Sequence, residues 1–335
     1  MAKITLKTIA DKMNVSTVAV FKALNNQSGV SDPLRRKIKA YAKSVGYVGK
    51  SSHQGINKKR FLFFINQDFF LTPSEQYYST IFYYLTSELA KVNSMLQISF
   101  LEPEQPVEKI KTTIANFNPD GVFFACEVSQ KILQFMEKHP VPSVFIDIYS
   151  PLFSCNFLYV DNYQVSYMLA HYLIDKGHTK IGFIGNINKT TSISDRYMGY
   201  VKAMNEKGLR IDPAWHINEN IERQVSLFDL PLNNLPTAYI CHCDSAAQKL
   251  YSLLSVNGLK VPDDVSVISF DNTMLCENLM PKLTSVGPNK DSVARKAFGA
   301  MVDAIKGKHA LVQLRSHLVE RESVKDLNPV SEVID

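Results

Sequence analysis

At 335 residues, 45% hydrophobic and 21% charged, the chain has ordinary globular composition and length for two or three domains. No apolar run approaches a membrane span, the N-terminus lacks the apolar stretch of a secretory signal, and five scattered cysteines make no disulfide framework, which predicts a cytoplasmic protein with reduced thiols. The net charge of +5 is unevenly placed: residues 1–60 carry 13 Lys or Arg against Asp11 and Asp32, giving +11, and the remainder carries −6. A basic head on an acidic body implies a polyanion bound by the head.

The head reads as three short helices. Thr5 can cap the first, with Leu6, Ile9, Ala10 and Met13 as its inner stripe. Asn14-Val15 make a tight turn, where Asn tolerates the left-handed backbone. Ser16 caps a second helix whose Val20, Ala23 and Leu24 face inward, leaving Thr17, Val18, Phe21 and Lys22 for water or a partner. After a loop, Ser31 caps a third helix, lined by Leu34, Ile38, Tyr41 and Val45 and ended by Gly46. Two short helices joined by a tight turn form the helix-turn-helix pattern, whose second helix enters the DNA major groove.

Residues 5–47 resemble the DNA-binding head of the LacI/GalR family of bacterial transcription regulators, through T-[LIV]-x-x-[LIV]-A, then V-S, L-N, V-S and G-Y. The resemblance implies that Thr17, Val18 and Lys22 face base edges and that Thr5, Ser16, Asn25 and Ser31 contact phosphates. Phosphate contacts set register and salt-sensitive affinity, and base contacts set specificity. This chain has Ala19, Phe21 and Lys22 where the family usually has Thr or Ser, Ser and Arg. Lys can donate to guanine but lacks the planar fork of Arg. Phe21 could pack on a thymine methyl or sugar, or against the head's own core.

Residues 48–60 are polar, basic and Gly-containing, a linker by composition. In the family this segment becomes a hinge helix on DNA and wedges an apolar side chain into the minor groove. Here the family's Pro, Asn and small interface residue are absent, and Gly55 weakens a helix by about 1 kcal/mol. Ile56 stands where the wedge would be, either as a minor-groove contact or as part of a plain tether.

From Phe61 apolar runs alternate with amphipathic stretches. The reading is strand Phe61–Ile65, helix 75–92, strand Met95–Leu101, helix 106–116, strand Gly121–Ala125, helix 129–138 and strand Ser143–Ile146. A second round follows Val160-Asp161: helix 162–176, strand Ile181–Ile184, helix 194–207, a short strand near Trp215, strand Ala238–Cys241, helix 244–257 and strand Val265–Phe270. Helix 290–305 and a strand near 312–317 return to the first lobe. The alternation predicts two lobes with parallel sheets and helices on both faces, with ligands at the strands' carboxyl ends. The predicted fold is α/β: an all-α helix-turn-helix head (1–47), a hinge (48–60) and a two-lobed body (61–335) with two doubly wound sheets. Lobe 1 takes 61–160 plus 288–320, and lobe 2 takes 161–287 plus the C-terminal segment.

The resemblance extends over the body through Asp161-Asn162, Lys176-Gly177-His178, Arg196-x-x-Gly199-Tyr200 and Val261-Pro-Asp-Asp-Val-Ser-Val-Ile-Ser-Phe-Asp-Asn-Thr, patterns of a periplasmic-binding-protein-type effector domain. It implies effector contacts at Asp147, Arg196 and Asp271. Asp244 follows Cys243 where the family usually has Asn before Asp, so Asp244 either meets the effector or caps the following helix. Phe69 or Tyr77 could stack on a ligand, whereas Tyr78, Tyr83 and Tyr84 read as core or dimer interface. Trp215 and His178 read as structural.

Cys241-His242-Cys243 places its cysteines and histidine on opposite sides of a strand with no second ligand pair nearby, so no metal is expected. Neither a nucleophile elbow nor a phosphate-binding or dinucleotide fingerprint occurs, so neither enzymatic activity nor a cofactor is expected. The sequence is therefore read as a regulator, most simply a repressor, acting as a homodimer on double-stranded DNA under control of a sugar-like effector. A solute-binding protein shares the body but not the basic head. A cleft enzyme lacks a recognisable acid/base pair.

Overall fold

The computed structural model describes residues 5–24, 28–45, 58–71, 76–102, 107–218 and 230–328. The chain divides into two units, Met1–Asn57 and Lys58–Asp335.

The first unit holds α1 (Leu6–Met13), α2 (Thr17–Leu24) and α3 (Asp32–Ser44). At the start of α1 the Thr5 hydroxyl accepts from the Thr8 N–H at 3.2 Å, and Thr8 Oγ1 accepts from the Thr5 N–H at 3.3 Å. Asn14 ends the helix in the left-handed conformation, φ +51°. Ser16 Oγ accepts from the Ala19 N–H at 3.1 Å and starts α2. Ile9, Ala10, Val20, Ala23, Ile38 and Ala42 form the buried centre. Arg35 donates to the Lys22 and Val30 carbonyls, which holds α3 to α2 and to the loop before α3.

The second unit has two lobes of like topology. The first contains β1 (Arg60–Asn66), α4 (Asp68–Leu71), α5 (Tyr77–Ala90), β2 (Met95–Leu101), α6 (Val107–Phe117), β3 (Gly121–Ala125), α7 (Gln130–Lys138), β4 (Ser143–Ile146) and β5 (Asn156–Val160). The second contains α8 (Asn162–Asp175), β6 (Ile181–Ile184), α9 (Thr191–Glu206), β7 (His216–Ile217), β8 (Ala238–Cys241), α10 (Asp244–Val256), β9 (Ser266–Phe270), α11 (Leu275–Asn278) and β10 (Thr284–Pro288). Then α12 (Lys290–Ile305) and β11 (Leu311–Leu314) return to the first lobe, and β12 (Ser316–Val319) to the second.

The sheets run β11-β5-β4-β3-β1-β2 and β12-β10-β9-β8-β6-β7, parallel throughout except where β12 opposes β10. Both are doubly wound, as the alternation of strands and helices predicted. Helices on both faces explain why β1 and β3 are near-continuous apolar runs and why β9 is buried throughout. Phe64, Phe124 and Phe145 stack across the first sheet at 4.9 Å intervals.

The last return differs from the expected one. The sequence predicts lobe 1 up to residue 320, but the chain recrosses at Arg315, and Ser316–Val319 pairs with β10. Two strands escaped the sequence reading, β5 and β10. β10 reads Thr-Ser-Val-Gly-Pro, which looks like a turn. Gly287 is needed there because a Cβ would lie 2.6 Å from the Asp271 carbonyl oxygen.

Candidate functional site

In the head, Thr5, Ser16, Thr17, Val18, Phe21 and Ser31 are exposed and Lys22 is half-buried. Val18 is 60% and Phe21 45% exposed, unusual for apolar side chains on an eight-residue helix that already buries Val20 and Ala23. Phe21 thus stays outside the head's buried centre. Asn25 and Ile56 lie outside the described residues.

In the body, Asp147 and Asp271 each follow the last residue of a strand, β4 and β9. Both adopt left-handed backbone, φ +62° and +97°. Their N–H groups donate to Leu158 and Val286 on the neighbouring strands, each at 2.7 Å. The two aspartates are counterparts in the two lobes, held at carboxyl ends of strands where this architecture puts its ligands.

Arg196 projects from α9. That helix lies close on α8 because Gly199 has no side chain: a Cβ there would stand 2.1 Å from the Tyr163 carbonyl oxygen. The buried guanidinium donates from Nε to Asn162 Oδ1 at 2.8 Å and from Nη1 to the His242 carbonyl. Its Nη2 lies 3.7 Å from Asp271 Oδ1, and it covers the Phe270 ring at 4.3 Å. A guanidinium fixed in this way presents its remaining donors in one orientation.

Phe69, Asp147, Arg196 and Asp271 line one cleft between the lobes, together with Tyr77, Tyr78, Glu127, Lys189 and His242. The Tyr78 hydroxyl donates to Asp147 Oδ2 at 2.9 Å, and the Lys189 ammonium sits 4.8 Å over the Phe69 ring. Glu127 Oε2 accepts from the Thr191 N–H and hydroxyl at 3.1 and 2.8 Å, which joins the lobes directly. The cleft encloses about 50 Å3. A second compartment of about 240 Å3 shares Asp147 and Ser192 with it and carries Asp161 and Asp195 on its wall.

Burial raises the hydroxyl pKa of Tyr77 and Tyr78 well above that of a free tyrosine, so both remain donors. Burial pushes the Cys126 thiol up to about 12, so at neutral pH it is a thiol rather than a reactive thiolate. Burial, followed by the nearby Asp161 and Glu127 carboxylates, raises the pKa of Asp195.

Two expectations need correction. Asp244 neither faces the cleft nor caps α10. Its Oδ1 accepts from the Ser269 and Ser285 hydroxyls at 2.5 and 2.7 Å, and its Oδ2 accepts from the Thr273 N–H and hydroxyl at 2.6 and 2.8 Å. Both oxygens are committed, so it fastens β9, β10 and the segment before α11. Tyr78 reads from sequence as core or interface, but its hydroxyl donates to the cleft carboxylate of Asp147.

Glu127 and Lys189 went unread, although both follow strand ends (β3 and β6) and the carboxyl-end rule alone would have found them. The structural readings of Trp215 and His178 agree with the geometry. Trp215 Nε1 donates to the Asn234 carbonyl at 2.7 Å, and the buried His178 ring bridges Thr237 and Lys325. Among the described residues no helix is long and apolar enough to cross a membrane.

A helix-turn-helix head and a two-lobed α/β body on one chain define a DNA-binding transcriptional regulator as the class. The periplasmic binding protein-like domain family matches residues 170–324. The chain is 32% identical over 227 residues to the HTH-type transcriptional repressor PurR of Vibrio campbellii, covering 64% of this chain and 67% of that one. It is 27% identical over 315 residues to the HTH-type transcriptional repressor CytR of Escherichia coli K12, covering 91% of each. Among solved structures, the lac repressor dimer bound to operator and the anti-inducer ONPF shares the fold, with TM-score 0.68, 20% identity and 97% and 100% coverage of the two chains. The CelR–cellobiose complex gives TM-score 0.67 at 22% identity, with 96% and 99% coverage. The chain belongs to the LacI family of transcriptional regulators.

Proposed function

We propose that this protein is an intracellular, homodimeric transcriptional repressor whose affinity for an operator is set by a small polar molecule, a sugar or sugar derivative, bound between the lobes. The observation that carries this reading is the pairing of two surfaces on one chain. An exposed Val18–Phe21 face stands on an N-terminal segment, residues 1–60, of charge +11, and Arg196, Asp147 and Asp271 line one cleft with Phe69.

In the head, Thr17, Val18, Phe21 and Lys22 meet base edges, while Thr5, Ser16, Asn25 and Ser31 meet phosphates. The Ser16 oxygen accepts from a helix amide, and a hydroxyl engaged as an acceptor still has its proton to donate. Ile56 supplies a minor-groove contact. In the cleft, carboxylates and a guanidinium offer the paired acceptors and donors that vicinal hydroxyls need, and Phe69 offers a ring face. The cleft's volume is well below the roughly 300 Å3 of ordinary ligand pockets, so a sugar has to part the Glu127–Thr191 contact or extend into the second compartment. A ligand that prefers one lobe arrangement shifts the population and hence DNA affinity.

The test is selection of duplexes from a random library, followed by titration of the selected duplex against salt with and without a panel of sugars. The reading expects sequence-selective binding that weakens with salt and changes with one or more sugars. Binding that is insensitive to sequence would overturn it.

A further inference from the structure

We propose a second ligand site on this chain, a pocket for a small phosphoryl anion at the interlobe crossovers, which couples the anion to lobe arrangement. The chain passes between the lobes at Val160–Asp161, Pro288–Asn289 and Leu314–Ser316. A pocket of about 180 Å3 sits on the second and third crossings and shares no lining residue with the effector cleft. Its polar lining is Asn289, Ser292 and Lys296 at the start of α12, Arg315 on the crossover and His317 on β12, with no Asp or Glu.

No carboxylate among the described residues pairs with this charge. Among the described residues Lys296, Arg315 and His317 enter no ion pair, and the nearby Asp291 is taken by Arg295. Basic groups left without a carboxylate are notable in a body that is net acidic, and the compartment at the first crossing is lined instead by Asp147, Asp161 and Asp195. An arginine fork takes two oxygens of a phosphoryl group, a lysine adds a point charge, and the Ser292 hydroxyl and His317 ring add donors. The volume is enough for several water molecules. That admits a phosphoryl group and a few further atoms.

The site spans both lobes. α12 packs against α5 and β4 in the first lobe, whereas His317 lies on β12, paired with β10 in the second. An anion held by Lys296 and His317 together ties the lobes, so its affinity depends on their arrangement, and by linkage it biases that arrangement in turn. The site stands without the proposed function. Only its consequence for operator binding rests on that reading.

The experiment is calorimetric titration of the full chain with inorganic pyrophosphate and, separately, glycerol 3-phosphate, at fixed chloride ionic strength. The chain is compared with the Lys296→Ala/Arg315→Ala double variant and with Arg295→Ala. Tenfold or greater weakening in the double variant, with Arg295→Ala unchanged, supports the site, and the tighter probe separates inorganic from ester phosphate. Equal affinity in all three proteins overturns it. The Thr191 amide, which donates to Glu127 across the cleft, reports the coupling by hydrogen exchange. Its rate shifts with pyrophosphate in the parent and not in the double variant. An unchanged rate in the parent, with binding intact, overturns the coupling. None of these readouts needs an operator or effector, so failure here and failure of the proposed function are separable.

Discussion

The Arg196 guanidinium and the Asp271 carboxylate stand 3.7 Å apart at the floor of the cleft, brought there from α9 and the end of β9. The spacing has two causes in the backbone. Gly199 lets α9 approach α8, and Gly287 lets Asp271 lie over β10. Arg196 also supplies Asn162 and the His242 carbonyl. We expect Arg196→Ala to abolish effector binding and to lower unfolding free energy by about 3–5 kcal/mol, because it leaves a carboxylate and two oxygens short of donors. Arg196→Lys should recover less than half of that loss, since one ammonium cannot reach all three partners. Urea denaturation of both variants checks this, and parent-like stability of the alanine variant would contradict the account of the floor.

Asp244 should behave in the opposite way for function. Asp244→Ala strands two serine hydroxyls and both donors of Thr273, and the expected loss is about 3–5 kcal/mol, with Asp244→Asn intermediate. Effector affinity of the folded fraction should be nearly unchanged. A selective loss of affinity without loss of stability would return Asp244 to the ligand shell.

Histidine burial makes a pH prediction. Burial holds the His178 pKa below its ordinary value of 6.5. The unfolded chain therefore takes up the proton first as pH falls. Stability from this group is complete above about pH 6.5 and declines as pH drops toward the lower folded value. His139 is shifted the same way by its burial and adds to the slope. Chemical denaturation at pH 7.5 and pH 5 should give a smaller difference for His178→Gln than for the parent. An equal difference would show that His178 is not the source.

For the head, Val18→Ala and Lys22→Ala should change stability by no more than about 0.5 kcal/mol, because neither side chain belongs to the buried centre. Lys22→Ala should cost about 1–3 kcal/mol at a single base pair of the selected duplex and relax preference there. Binding measured over single-base variants of that duplex tests both. Uniform weakening over all of them would reassign Lys22 to a phosphate.

Much of the architecture was legible because strand periodicity and burial go together. Runs such as Phe61–Ile65 and Gly121–Ala125 are apolar throughout only because helices cover both sheet faces. β10 was not legible, since its Gly287-Pro288 serves a backbone contact with Asp271 that is far away in sequence. In the site, Asp147, Arg196 and Asp271 were readable from position after a strand or in a motif. The role of Asp244 was not, because four donors from β9, β10 and the loop between them decide it. Tyr78 looked like part of an aromatic cluster, and only the approach of β4 gives its hydroxyl a carboxylate.

The central claim is that the basic head binds a specific duplex and reads it with the exposed face of α2. The most direct measurement is the operator affinity of the full chain across a salt series, on the selected duplex and on a scrambled one, for the parent and for Lys22→Ala. The account expects log affinity to fall steeply with log salt on both duplexes. It also expects a preference for the selected duplex that Lys22→Ala reduces by about tenfold or more, from a lost base contact of about 1–3 kcal/mol. Equal affinity for the two duplexes in the parent, at every salt concentration, would contradict it.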